Sequence, residues 1–305
     1  MQQQESNKTP NGTSINKNGP SRSAEGIALI RLGEQRYPVD QRICNDQYAL
    51  YFINPGLVKY ISEHPKEVEE ITEEHERRFP GLNNTTVARV RYFDDCMKSA
   101  LSDGIEQLVI LGAGYDTRAY RIEGANKIKV FEVDHPDTQP VKVEKIKEIF
   151  GALPRNVAYV AVDLATDDLG RRLAEHSYDV SKKTLFLMEG LVMYLPADAV
   201  DRILEFVVLN SGKGSSVVFD YVPESVANGT CTDNAGRDFG ADMAGMGEPF
   251  RFGIKEGTVE AFLARRGFSR IRDVTPEEIK KLYFHGENEH RQVSGLILIA
   301  SGVVE

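Results

Sequence analysis

The chain has 305 residues, enough for one large α/β domain with a full core, and a formal net charge of −9. That acidic balance argues against a nucleic-acid partner, because binding to a phosphate backbone draws its affinity from clustered Lys and Arg. Cys44, Cys96 and Cys231 are too scattered for a disulfide framework or a zinc knuckle, which fits a reducing, cytoplasmic setting.

Residues 1–23 are rich in Gln, Asn, Ser and Lys without an apolar centre, so they predict a disordered tail rather than a signal peptide or an anchor. No apolar stretch approaches the roughly 20 residues of a membrane span, which excludes a membrane from the expected partners. From Ala24 to Phe79 apolar residues recur at helical spacing, punctuated by Pro55 and Pro65, and predict a helical preface that extends to about residue 104. Its glutamate-rich run, Lys66 to Arg78, reads as a solvated helix face. A further helix is predicted from Thr85 to Ser102, with Val87, Val90, Phe93 and Met97 on one side.

The stretch Leu108 to Arg118 reads as a buried strand that breaks into Gly112-Ala113-Gly114, the form of a nucleotide-binding turn. Thr117 stands where the dinucleotide fingerprint has its third glycine. Strands predicted over 128–134, 156–162, 184–188 and 215–221 alternate with helices over 136–150, 166–176 and 196–210, which predicts a parallel sheet covered on both faces. From Pro223 to Gly253 the periodicity is lost and glycines mix with Phe239, Met243, Met246, Phe250 and Phe252, the composition of a lid. A helix near 257–266, a strand near 268–274, another helix and a last strand over 293–300 close the chain, with no linker to divide it.

In an open sheet of this kind ligands lie at the carboxyl ends of the strands. Those ends carry Gly112-Ala113-Gly114, then Glu132 and Asp134 about twenty residues on, then Asp163-Leu164, then Glu189. Carboxylates converging on one cleft repel a pyrophosphate. They suit a cofactor with a ribose diol, an ammonium and a sulfonium, which favours S-adenosylmethionine over a nicotinamide nucleotide.

These blocks resemble the leucine carboxyl methyltransferase family, in particular its microbial small-molecule O-methyltransferases. The likeness rests on Val87 to Asp95, Gly112 to Arg118, Phe131 to Asp134, Val162 to Leu164 and Glu189 to Leu195, in that order. It implies a Rossmann-like, seven-stranded, mostly parallel sheet whose last strand is antiparallel, with an N-terminal helical extension. By position in the motifs it implies that Arg89 or Arg91 pairs with the methionine carboxylate and that Gly112 lies under the methionine moiety in the Gly112-Ala113-Gly114 turn. Asp134 would then hold the ribose hydroxyls, Asp163 and Leu164 would meet the adenine, and Glu189 would face the amino-acid end. The expected reaction is O-methylation of a small-molecule carboxylate or hydroxyl. A protein C-terminal carboxylate, an NAD(P)-dependent oxidoreductase and a non-catalytic cofactor binder are the alternatives. Tyr194, His285 and Arg251 are the candidates for work on the acceptor, whereas His64, His75, His176 and His290 sit in charged, exposed contexts and His135 reads as a turn residue. No metal site is expected, and the oligomeric state is not legible.

Overall fold

In the computed structural model, which describes residues 22–305, seven strands form one sheet. They are β1 (Gln107–Leu111), β2 (Lys129–Asp134), β3 (Val157–Ala161), β4 (Thr184–Met188), β5 (Ser216–Tyr221), β6 (Phe268–Val274) and β7 (Leu298–Val304). Their spatial order is β3-β2-β1-β4-β5-β7-β6. The first five are parallel, while β7 runs antiparallel to both β5 and β6. Because β2 and β3 lie on one side of β1 and β4 and β5 on the other, the strand order reverses between β1 and β4, and a crevice opens at their carboxyl ends.

Alternation along each strand splits the apolar residues between two faces. Val109, Leu111, Phe131, Val133, Phe186 and Phe219 enter one core, covered by the helices Leu169–Glu175, Ala197–Leu209 and Val259–Ala264. Leu108, Ile110, Val130, Leu185, Leu187 and Val218 enter the other, covered chiefly by the helix Leu82–Ser102. Two covered faces explain why β1 and β4 are buried at every position.

Several boundaries differ from the sequence-based expectation. The last strand begins at Leu298, where it pairs with Tyr221, not at Val293. The preceding residues pass the start of the Leu82–Ser102 helix instead, with Ser294 N donating to Thr85 Oγ1 at 2.7 Å. The expected 166–176 helix runs only from Leu169 to Glu175, because Asp168 is the residue that accepts from Arg171 N and caps it. Of the expected tail, residues 1–21 lie outside the described residues, and the first helix, Arg22–Gly33, begins just inside the predicted boundary.

The segment 223–253 is not irregular. It holds the helices Glu224–Ala227 and Asn234–Gly245, and Met243 and Phe252 are buried in it. Its glycines serve close packing: a Cβ on Gly236 would stand 2.6 Å from Cys231 Sγ, and one on Gly240 would stand 3.1 Å from the Val226 carbonyl oxygen. The helical period was hidden because those glycines occupy contact positions that usually carry large apolar side chains.

Candidate cofactor site at the strand ends

After β1 the chain turns through Gly112 and Gly114, at φ +65° and +40°. A Cβ on Gly112 would come within 2.8 Å of the Leu191 side chain, so the first obstacle to a larger residue there is the loop after β4. Ala113 is buried, its N donating to the Val133 carbonyl at 3.0 Å and its carbonyl accepting from Lys142 Nζ at 3.3 Å. Gly114 N donates to Asp134 Oδ2, and His135 N donates to Asp134 Oδ1 at 2.6 Å. Burial pushes the Asp134 carboxyl upward against these hydrogen bonds.

Glu132 shares a strand face with Asp134 but takes no place in the crevice. It is fully buried, paired with Lys142 Nζ at 2.9 Å and accepting from Tyr120 Oη at 2.8 Å. Asp163 closes its own turn by accepting from Ala165 N at 2.9 Å and Thr166 Oγ1 at 3.0 Å, while Leu164 packs into the core.

The helix Leu82–Ser102 carries Arg89 to the ends of β4 and β5. Its side chain is 3% exposed; Nε donates to Glu189 Oε1 at 3.0 Å and Nη1 to Asp220 Oδ2 at 2.6 Å. Asp220 Oδ1 in turn accepts from Gly190 N at 2.6 Å. Burial works against the Arg89 charge, but the two carboxylates outweigh it and hold the guanidinium above its ordinary range. Among the described residues Nη2 has no hydrogen-bond partner, and it lies 3.9 Å from where a Cβ on Gly190 would stand. Arg91 is turned elsewhere on the helix, half-exposed and paired with Asp95 at 3.0 Å. The geometry therefore separates the two arginines that sequence left open.

Behind Glu189 stands Arg118, 1% exposed. It reaches Glu189 Oε2 at 2.6 Å, Asp94 Oδ1 at 2.7 Å, Asp116 Oδ2 and the Val90 carbonyl at 3.0 Å. Asp94 is also gripped by Arg121, and beyond it Asp46 accepts from Thr117 Oγ1 at 2.8 Å and pairs with Arg31 of the first helix at 3.2 Å. Burial raises the Asp116 carboxyl, but Arg118 ahead of Lys142 overrides it and holds it down to about 2.

None of Arg118, Asp116, Asp94, Asp46, Arg121 and Asp220 carried a predicted role. Asp220 was open to discovery, because it stands one residue before the end of β5 as Glu189 stands one residue after the end of β4, and the strand-end rule stops at no particular strand.

Tyr194 lies half-buried in the field of Glu248, Asp220 and Arg89, its ring 5.7 Å from that of Phe250. Phe250 meets Phe239 at 5.2 Å, and Phe239 meets Phe79 at 5.9 Å, so an aromatic row runs from the helical preface to the crevice. Arg251 holds its backbone N on the Met193 carbonyl at 2.8 Å; its side chain is exposed and has no ion partner among the described residues. His285 does not join this group. It is exposed and rests Nε2 on Leu282 O of the preceding helix, Pro276–Tyr283, at 3.1 Å.

The donor set fits a ligand that carries a carboxylate, an ammonium and a diol. Arg89 Nη2 offers N–H groups with no partner among the described residues, Glu189 and Asp134 offer acceptors, and Gly112 and Gly114 on either side of Ala113 carry no Cβ. The sheet order and a glycine turn at the reversal point define the Rossmann-like methyltransferase class. Two solved structures share the fold: a DUF574-family protein from Streptomyces avermitilis (TM-score 0.61, 14% identity, covering 94% of this chain and 98% of that one) and a protein described as a methyltransferase from Thermobifida fusca (0.60, 15%, 95% and 97%). The leucine carboxyl methyltransferase family model matches residues 24–208, and the chain belongs to that family. Proteins named as S-adenosyl-L-methionine-dependent methyltransferases are 35% identical in Mycobacterium marinum, over 65% of this chain and 66% of that protein, and 31% identical in Mycobacterium avium, over 73% and 72%. The chain spans just under two thirds of the length of the first of these. Among the described residues no helix is long and apolar enough to cross a membrane, and no group of three His, Cys, Asp or Glu could hold a metal ion.

Proposed function

We propose that this chain is an S-adenosylmethionine-dependent O-methyltransferase acting on a small-molecule acceptor, with a carboxylate as its nucleophile. The observation that carries the reading is Arg89: a buried guanidinium, fixed on two sides by Glu189 and Asp220, that leaves only Nη2 to receive a carboxylate. In this reading Nη2 takes the methionine carboxylate, Glu189 takes the ammonium with its remaining lone pairs, Asp134 takes the ribose hydroxyls, and Asp163 with Leu164 borders the adenine. The ion chain from Arg31 to Asp220 contains one more carboxylate than guanidinium, which favours a cationic ligand over a pyrophosphate.

The bound cofactor supplies an activated methyl group, so the protein's part is alignment and dryness. Tyr194 has no hydroxyl partner among the described residues, and burial, ahead of Glu248 and Asp220, pushes its phenol upward. It is therefore a proton donor at neutral pH, suited to orient an ionised acceptor oxygen and unsuited to deprotonate one. Among the described residues no hydrogen bond, ion pair or ring contact brings a histidine to Tyr194, and His135, beside Asp134, is exposed and turns Nδ1 to Asp137 N at 3.2 Å, which favours a carboxylate acceptor over an alcohol. The half-exposed rings of Tyr194, Phe239 and Phe250 suit a partly apolar acceptor body. Protein carboxyl methylation, from which the family takes its description, is the second reading.

The test is incubation with S-adenosylmethionine and two acceptor sets, small aromatic and aliphatic carboxylic acids and peptides ending in a free leucine carboxylate, followed by mass spectrometry. A gain of one methyl on the small acids supports the proposal, and a gain on the peptides alone selects the second reading. A melting-temperature shift with NAD and none with S-adenosylmethionine would remove both.

A further inference from the structure

Two arginines with enclosed side chains, 1% and 7% exposed, flank Asp94 and look alike by charge. Arg118 donates Nε to Asp94 Oδ1 at 2.7 Å, and Arg121 donates Nη1 to Asp94 Oδ2 at 2.5 Å. Their far sides differ. Arg121 turns back to Thr117 Oγ1 at 2.9 Å, whereas Arg118 reaches forward to Glu189 Oε2 at 2.6 Å, and the other Glu189 oxygen holds Arg89. We propose that Arg118 is a positioning residue for the cofactor site, acting through Glu189 to fix Arg89, and that this role is not shared by Arg121. The inference rests on the cofactor reading above.

The physical ground is the geometry of the fork. A planar guanidinium donates in several fixed directions at once, and Arg118 uses them to tie three separate parts of the chain together. Asp94 and the Val90 carbonyl belong to the helix that carries Arg89, Asp116 belongs to the glycine turn, and Glu189 follows β4. Glu189 is thereby held from both sides, by Arg118 on Oε2 and Arg89 on Oε1. An Arg89 side chain with that support presents Nη2 in one direction; without it, the Glu189 carboxylate can rotate and Arg89 follows. The low Asp116 carboxyl agrees with a guanidinium that stays charged and in place.

Arg118→Lys keeps the charge but replaces the fork by a single point donor that cannot span Asp94, Asp116 and Glu189 together. Titration calorimetry with S-adenosylhomocysteine, which cannot turn over, reads the consequence on the full chain. Arg118→Lys is expected to weaken binding about tenfold, the worth of one charge-assisted hydrogen bond. Arg121→Lys is expected to lower the melting temperature while leaving the affinity within about twofold of wild type. In a Glu189→Gln background, adding Arg118→Lys should change affinity by less than about twofold, because the path through Glu189 is already broken.

Asp94→Asn provides the second variant, since it loosens Arg118 from the helix side and keeps the arginine itself. It should weaken binding severalfold alone and not in the Glu189→Gln background. Equal affinity losses for Arg118→Lys and Arg121→Lys, or full additivity with Glu189→Gln, would overturn the proposal and leave Arg118 a scaffold residue. A wild-type chain that does not bind S-adenosylhomocysteine overturns the cofactor reading itself and this inference with it.

Discussion

The floor and the roof of the crevice are built from different physics. The floor is a chain of buried ions under the strand ends, in which Arg89, Arg118 and Asp220 are each at most 3% exposed at the side chain and every contact is charge-assisted. The roof, formed by the helices Pro65–Arg78 and Asn234–Gly245 with the residues that follow, is joined by aromatic edges and by the exposed Arg78–Asp242 pair. Buried ion pairs are costly to alter one member at a time, because the remaining charge is stranded. Aromatic contacts tolerate change of size and shape at lower cost. Under the proposed function, this division puts cofactor recognition where substitution is punished and acceptor recognition where it is tolerated.

The largest expected effect is on the floor. Arg118→Met strands the Asp94, Asp116 and Glu189 carboxylates and should lower stability by about 3–5 kcal/mol, read by urea denaturation at pH 7. Phe252→Ala comes next, at about 3 kcal/mol. Although Phe252 lies next to the roof residues in sequence, it is buried in the sheet core with its ring 5.9 Å from Phe262. Phe250→Ala, two positions earlier, should instead impair turnover of a bulky acceptor and leave cofactor affinity near wild type, measured by calorimetry beside steady-state rates. If both variants act alike, floor and roof are not separable at this point.

The pH dependence sharpens the same contrast. The Asp116 carboxyl lies at about 2 in the folded chain, below its ordinary value near 3.9 in the unfolded one. A depressed carboxyl contributes stability that is fully present above the unfolded value and is lost as pH falls through the folded one. The contribution, about 2–3 kcal/mol, should therefore disappear between about pH 4 and pH 2. Stability curves of wild type and Asp116→Asn should converge in that window, and parallel curves there would contradict the assignment.

How much of this was legible depends on where each residue's partner lies in the sequence. The sheet was readable because strand and helix periods are local, and so was the Gly112 to Gly114 turn followed by Asp134. Glu132 was misread with Asp134 because the two share one strand face, and only the packing of the next helix, which brings Lys142, shows which carboxylate is enclosed. Arg89 could not be separated from Arg91 because two positions on one helix differ only in what each faces. Arg118 and Asp94 stood inside recognisable blocks without a role, since an ion network closes only when segments 24 and 71 residues apart meet. The helix in the roof was lost for a different reason, its glycines being contact residues at Cys231 and Val226 rather than breaks.

The smallest effect is expected at the exposed join of the roof. Arg78 binds Asp242 in two-pronged fashion, Nη1 to Oδ2 at 2.8 Å and Nη2 to Oδ1 at 3.0 Å, and its guanidinium carbon stands 4.9 Å from the Phe79 ring centre. Both side chains are about two-fifths exposed, so water and salt screen the pair. A double-mutant cycle with Arg78→Ala and Asp242→Ala should give a coupling of about 0.5 kcal/mol at low salt, falling toward zero near 1 M. The floor pair Arg89–Asp220 should keep its coupling under the same salt, because no ions reach it. Should the Arg78–Asp242 coupling exceed about 2 kcal/mol or resist salt, the roof would be held by the same kind of interaction as the floor, and the division between a fixed cofactor site and an adaptable acceptor site would fail.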